Sequence, residues 1–99
     1  MTVAYEFNIT MKDVVVNNTT ELLALLASIH DGHTANVQPF FDSGAVKASW
    51  ILNSNGTQFI QTNEYESEEV KDAFDAARRE AGYIDRFNAL GWTATVRRL

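Results

Sequence analysis

The sequence predicts an α+β fold in which two helices pack on one face of a mainly antiparallel sheet of four or five strands. Val3–Met11 alternates large apolar residues with small or polar ones, as a strand with one buried face does. Two later segments repeat apolar residues at helical spacing behind good N-cap residues. An Asn-Gly pair separates two further alternating segments, which is typical of a hairpin. A chain of 99 residues can bury one modest core, so we expect a single α+β domain over residues 1–99.

The first helix is predicted over Thr19–His30. Asn18 is a good N-cap, and Glu21 stands three residues further on, as the partner in a capping box does. Asp31-Gly32 is then expected to end the helix. Its buried face consists of the apolar residues at helical spacing, namely Leu22, Leu25, Leu26 and Ile29.

The segment His33–Phe41 has two interpretations. Ala35, Val37 and Pro39 share one parity, as in a strand, but Pro39 would confine such a strand to the edge of a sheet. The segment is therefore either a fifth strand or an irregular connection. Residues 42–44, Asp-Ser-Gly, predict a turn after it.

A β-hairpin is predicted from Ala45–Asn53 and Thr57–Asn63, with Asn55-Gly56 as a two-residue type I′ turn. The turn fixes the register and predicts three facing pairs: Leu52 with Phe59, Ile51 with Ile60, and Trp50 with Gln61. The residues expected to face the core are Val46, Ala48, Trp50, Leu52 and Phe59.

The second helix is predicted to begin after Ser67, a good N-cap, and to end before Gly91. Gly82 lies inside this pattern and permits a kink or a break there. Trp92–Val96 alternates again and predicts a closing strand. The apolar face of the helix consists of Val70, Phe74, Ala77, Ala81, Ile84 and Phe87.

With an irregular connection after the first helix, the element order becomes βαββαβ, the ferredoxin-like or split-βαβ plan. The outer face of such a sheet would be polar, apart from the facing pair Ile51 and Ile60. RNA-recognition domains of similar plan stack bases on aromatic residues of that face, and none is expected there in this chain. Dimeric α/β-barrel enzymes close apolar sheet faces around a pocket, so the chain resembles them in topology only.

The charge of the chain is negative and unevenly distributed. The net charge is −5, yet the segment 78–99 holds five arginines against two acids. An acidic body disfavours non-specific binding to nucleic acid and favours a protein partner with a basic surface, such as a nucleic-acid-binding protein. The sequence carries no signal peptide or membrane-spanning run, which predicts a cytoplasmic location, and it contains no cysteine.

Two features are candidate partner-binding sites. Phe40 and Phe41 stand beside a turn, where they either pack beneath it or leave one ring exposed as an anchor. A run of acids is either the solvated start of a helix or an electrostatic docking patch that could mimic phosphates. Its members are Glu64, Glu66, Glu68, Glu69, Asp72 and Asp75.

His30, Asp31 and His33 are weak candidates for a metal site. Their spacing spans a helix end and matches no established ligand geometry, so we expect neither a metal nor a cofactor. The sequence also lacks a nucleophile elbow and a glycine-rich phosphate loop, and we expect no catalytic residues.

The preferred hypothesis is a small, non-catalytic protein-binding module. Its size and acidity are typical of phage or mobile-element proteins that inhibit a host enzyme or defence complex by stoichiometric binding. One alternative is a small dimeric enzyme or ligand-binding protein, with a pocket between sheet and helices that uses Tyr5, His30 or His33. Another is a structural subunit that associates with itself.

Overall fold

A computed structural model describes residues 2–29 and 34–99 of the chain. Within these residues the sheet has four strands in the order β2-β3-β1-β4, and every neighbouring pair is antiparallel. The predicted α+β fold is confirmed, and the strand order is that of a ferredoxin-like fold. In chain order the elements are β1 (Val3–Thr10), α1 (Thr19–Ile29), α2 (Thr34–Asp42), β2 (Val46–Leu52), β3 (Gln58–Tyr65), α3 (Glu68–Glu80), α4 (Tyr83–Ala89) and β4 (Thr93–Arg98).

The hairpin of β2 and β3 has the predicted register but a different turn. Leu52 faces Phe59, as the sequence predicts. The type I′ turn is wrong, because Gly56 has a φ of +70° while Asn55 is not among the positive-φ residues of the described chain. Instead the Asn53 carbonyl accepts a hydrogen bond from the Gly56 N–H at 3.2 Å. The Asn53 side chain caps the turn, because its Oδ1 accepts hydrogen bonds from the backbone N–H groups of Thr57 and Gln58 at 3.0 and 3.1 Å.

Both predicted N-caps are confirmed by side-chain hydrogen bonds. Asn18 Oδ1 accepts from the Glu21 N–H at 2.9 Å, and Ser67 Oγ accepts from the Val70 N–H at 3.2 Å. These bonds satisfy N–H groups that have no partner within their own helix, and so they fix where α1 and α3 begin. Gly82, with a φ of +79°, then divides the predicted second helix into α3 and α4.

Of the segment His33–Phe41, the described residues 34–41 are neither a strand nor irregular. They belong to the helix α2, and Pro39 lies inside it. Proline there removes one backbone hydrogen bond, which opposes a helix. Packing compensates, because Val37 is buried and Phe40 and Phe41, three and four residues further on, pack against the same core cluster. The alternation of Ala35, Val37 and Pro39 therefore predicted the wrong secondary structure. The residues that pack on the core follow helical spacing instead.

The helices cover β1, β2 and β3 but leave β4 open, with all six residues of β4 exposed. The outer face of the sheet is polar as predicted, with Ile51 68% exposed and Glu6 paired with Arg97 at 3.1 Å. Among the described helices, none is long and apolar enough to cross a membrane. The buried residues form two clusters, one of Ile9, Met11, Val16, Leu22, Leu26, Phe59 and Trp92 and one of Val3, Val37, Val46, Tyr65 and Phe74.

Candidate functional site

A pocket of about 270 Å³ opens between the helices and the β2–β3 hairpin, and we call it the interhelical pocket. It lies between the two core clusters: Leu26 belongs to the first cluster, and Val37 and Phe74 belong to the second. The helical layer therefore does not close completely over the sheet. The large apolar residues that line the pocket are Leu23, Leu26, Val37, Phe41, Trp50 and Phe74.

A chain of polar side chains runs along the core-facing side of β3 and begins at the floor of the pocket. Gln61 lines the pocket, and its Nε2 donates to Asn63 Oδ1 at 3.0 Å. Asn63 Nδ2 in turn donates to the Tyr65 hydroxyl at 3.1 Å. Asn63 and Tyr65 are both fully buried, and burial raises the pKa of Tyr65. Because both ends of the Asn63 amide are bonded, its burial is tolerated.

Arg78 forms the wall at one side of the pocket. Its side chain is only 14% exposed, and its guanidinium carbon lies 5.0 Å from the ring centroids of both Phe74 and Tyr83. Arg78 Nη2 also lies 3.1 Å from Asp75 Oδ1. Cation–π contacts and the ion pair together hold this charge within a largely apolar layer. Burial raises the pKa of Tyr83, and the Arg78 charge opposes that shift.

A second depression, of about 250 Å³, lies on the other side of Arg78, between α3 and the open strand β4. We call it the basic groove. Lys71 Nζ lies 2.8 Å from Asp75 Oδ2 and 4.8 Å from the ring centroid of Tyr5. The hydrogen bond to Asp75 raises the pKa of Lys71, which favours its charged form. The groove is lined by Tyr5, Phe7, Lys71, Asp75, Arg78, Arg79, Ile84 and Val96.

The predicted acidic run is divided among four environments. Asp75 points into the basic groove, where its two oxygens contact Lys71 and Arg78. Glu68 lies 2.6 Å from Arg98 and accepts a hydrogen bond from the Tyr5 hydroxyl.

Glu64 stands on the outer face of the sheet, where Lys47 is its register partner on β2. The remaining acids are exposed and take part in none of the ion pairs of the described residues. These remaining acids are Glu66, Glu69 and Asp72.

Phe40 and Phe41 pack on one common ring. Their centroids lie 5.5 and 5.6 Å from that of Phe74, each in an edge-to-face arrangement. Both side chains are half-buried, and Phe41 also lines the interhelical pocket. The contacts agree with packing beneath the turn, and a role in anchoring a partner stays a prediction.

The predicted metal-site candidates His30, Asp31 and His33 lie outside the described residues. In the ranges 2–29 and 34–99, no three His, Asp or Glu side chains are grouped so that they could hold a metal ion. Tyr5, which the alternative hypothesis assigns to a pocket between sheet and helices, lines the basic groove and not the interhelical pocket.

Sequence reasoning did not single out the polar residues of the pocket. The predicted register already placed Gln61 opposite Trp50 on the core-facing side, and a polar residue at such a position is an informative exception. Arg78 follows Phe74 by four residues, so it continues the buried face of α3 where an apolar residue is expected. Both exceptions could have indicated a site.

No protein-family model matches the chain, and no curated protein is significantly similar to it. Its fold is similar to that of Rv0793 from Mycobacterium tuberculosis, with a TM-score of 0.51 and 15% identity over 98% of this chain and 93% of that one. The de novo designed protein Foldit4 is similar with a TM-score of 0.52 and 16% identity, over 100% of this chain and 97% of the design.

A putative amidohydrolase/peptidase from Burkholderia cenocepacia is also similar, with a TM-score of 0.51 and 20% identity. The match covers 99% of this chain but 27% of that much longer protein. At these identities the likenesses concern the fold alone.

Proposed function

We propose that this chain is a non-catalytic binding protein whose main site is the interhelical pocket, and that its ligand is a small, largely apolar molecule. The observation that carries the proposal is the pocket of about 270 Å³ between two otherwise well-formed core clusters. An apolar cavity of about 150 Å³ already holds benzene. The volume therefore suits a bicyclic ligand of about the size of naphthalene.

The lining of the pocket supports this ligand class. Apolar and aromatic side chains dominate, as in most sites for small molecules, and a few polar groups stand at fixed positions. Gln61 is oriented by its bond to Asn63, and Arg78 is held by Phe74 and Asp75. These polar groups would fix the orientation of a ligand that carries a hydroxyl or a similar small polar substituent.

Binding of 1-naphthol tests the proposal. Ala27 is exposed but lines the mouth of the pocket, so Ala27→Phe should fill the mouth without disturbing the core. Ala24 lies one turn earlier on α1, is also exposed and does not line the pocket, so Ala24→Phe is the matched control. Calorimetric titration should give binding to the native protein and to Ala24→Phe, and none to Ala27→Phe.

The same ligand should raise the free energy of unfolding of the native protein, by about 2.7 kcal/mol when its concentration is 100 times Kd. Equal binding of 1-naphthol to Ala27→Phe and Ala24→Phe, or no binding to the native protein, would contradict the proposal.

A second candidate function is stoichiometric binding to a larger protein with a basic surface, such as a nucleic-acid-binding host protein. Support comes from the exposed acids Glu66, Glu69 and Asp72, which take part in none of the ion pairs of the described residues. Such a protein could be a viral or mobile-element inhibitor that acts against a host enzyme or defence complex in the cytoplasm.

Affinity capture from a host lysate tests this second candidate. The variant Glu66→Gln/Glu69→Gln/Asp72→Asn removes three exposed negative charges and leaves the paired Glu68 in place. A matched control removes three exposed acids elsewhere, through Glu21→Gln/Asp42→Asn/Asp85→Asn. A partner that the native protein and the control both retain, and that the first variant loses, supports the function. A partner retained equally by both variants contradicts it.

A further inference from the structure

The edge of the sheet at β4 is left uncovered by the helices of the described residues. β4 pairs with β1 on one side and is exposed along its length. Phe7 faces Val96 across this pair, and Val96 is 60% exposed although it points to the helical side of the sheet. Ile84, at the start of α4, is 41% exposed and lines the same groove. The basic groove therefore has an apolar floor that stays accessible.

The charge of the groove is opposite to that of the whole protein. Among its lining residues three cations, on Lys71, Arg78 and Arg79, face a single carboxylate, that of Asp75. Asp75 is shared between Lys71 and Arg78 at 2.8 and 3.1 Å, and Arg79 takes part in none of the ion pairs of the described residues. An excess of positive charge remains, although the net charge of the chain is −5.

Two of these cations are held in place before any ligand arrives. The side chains of Lys71 and Arg78 are 21% and 14% exposed, so water screens them less than it screens a surface charge. Lys71 stands over the ring of Tyr5, and Arg78 lies 6.0 Å from the ring centroid of Phe7. Little side-chain entropy is lost when such fixed groups bind an anion.

We propose that the basic groove binds a small aromatic acid, a carboxylate or a sulfonate. The anionic group lies near Arg79 and the shared pair of Lys71 and Arg78, and the ring lies on Phe7 and Val96 beside Ile84. The volume of about 250 Å³ accommodates a ring system of the size of naphthalene. This site is separate from the interhelical pocket, and its ligand differs in carrying a full negative charge.

Titration with naphthalene-2-sulfonate tests the proposal, with the uncharged naphthalene-2-sulfonamide as the matched ligand. The sulfonate should bind the native protein more tightly than the sulfonamide does. Added salt should lower the affinity of the sulfonate only, because the difference in affinity between the two ligands arises from charge. Equal affinity for the two ligands, or no binding of the sulfonate, would overturn the proposal.

Two arginine variants locate the site. Arg79→Gln removes a charge from the groove, whereas Arg97→Gln removes the same charge from the outer face of the sheet, where Arg97 pairs with Glu6. In Arg79→Gln, the loss of one exposed charge contact is expected to lower the affinity for the sulfonate by up to about fivefold. Arg97→Gln should bind it as the native protein does. An equal loss in both variants would mean that the sulfonate responds to net charge and not to the groove.

A third variant tests the site with a larger expected loss of affinity than Arg79→Gln gives. Val96→Glu places a negative charge on the floor of the groove, at an exposed position where the fold does not depend on the side chain. It should abolish sulfonate binding and leave 1-naphthol binding in the interhelical pocket unchanged. Undiminished sulfonate binding in this variant would also overturn the proposal.

Discussion

The interhelical pocket and the basic groove lie on the same face of the sheet, on either side of Arg78, and they differ in what closes them. Helices surround the pocket, and Val37 in its wall is 4% exposed. The groove has a helix on one side and the uncovered strand β4 on the other, and Val96 on its floor is 60% exposed. Two valines that point into the same layer thus have opposite solvent exposure.

Helix placement, more than residue type, therefore decides which part of this layer is core and which part can take a ligand. α1, α2 and α3 approach the β2–β3 side and leave an apolar gap between them. α3 carries its cations toward the β4 side, where Asp75 neutralises only part of their charge. The same fold therefore has one site suited to a neutral ligand and one suited to an anion.

The largest effect is expected from the polar chain beside the pocket. Asn63→Ala leaves the buried hydroxyl of Tyr65 and the half-buried amide of Gln61 without their partner. We expect the free energy of unfolding to fall by roughly 3 kcal/mol, since each buried unsatisfied group costs about 1–3 kcal/mol. Urea denaturation measures the change. Thr62→Ala, its neighbour on the outer face of the same strand, should cost less than about 1 kcal/mol. Equal losses would mean that the polar chain is not a buried network.

A smaller effect is expected from one isosteric change made on both sides of Arg78. Val37→Thr buries a hydroxyl in the wall of the pocket and should lower the free energy of unfolding by roughly 1–3 kcal/mol. Val96→Thr makes the same change in the open groove and should stay within about 0.5 kcal/mol of the native value. Chemical denaturation of the pair checks the comparison. A loss for Val96→Thr as large as that for Val37→Thr would show that β4 is covered.

The smallest effect is a dependence of the free energy of unfolding on pH. Tyr83 at the interhelical pocket and Lys71 in the basic groove contribute to it with the same sign, but from different causes. Burial raises the pKa of Tyr83 above its ordinary 10.0, and the hydrogen bond to Asp75 raises the pKa of Lys71 above 10.5. Above these ordinary values the unfolded chain releases protons that the folded chain still holds. Stability should therefore be complete below about pH 10 and fall as the pH rises through the folded pKa values.

Urea midpoints measured from about pH 9 to about pH 11 test this dependence. Tyr83→Phe and Lys71→Gln should each flatten the decline. Added salt should reduce the contribution of Lys71 only, because that of Tyr83 arises from burial. Midpoints that rise with pH in this range would contradict both assignments.

Helix capping and hairpin register, read from the sequence, predicted much of the fold. They predicted neither the interhelical pocket nor the basic groove. The N-caps Asn18 and Ser67 and the register of Leu52 against Phe59 follow from neighbouring residues, and the structure confirms them. α2 was missed because its stability comes from packing, which outweighs the unfavourable Pro39. The pocket and the groove are spaces between elements, and sequence spacing alone does not measure how closely helices approach one another.

The placement of the acids shows the same limit. Glu68 and Glu69 are neighbours in the sequence, yet Glu68 is paired with Arg98 and Glu69 is exposed. A helix turns neighbouring side chains to different faces, so a dense run of acids divides on folding. Only the tertiary arrangement determines which charges remain available to a partner.

One nuclear magnetic resonance experiment tests the separation of the two sites most directly. The ¹⁵N-labelled protein is titrated with 1-naphthol and then, in the same sample, with naphthalene-2-sulfonate. The naphthol should move the backbone amide signals around Val37 and Phe41, and the sulfonate should afterwards move those around Phe7 and Val96 without reversing the first set. Displacement of the naphthol by the sulfonate, or movement of one common set of signals by both ligands, would contradict two sites of different chemistry.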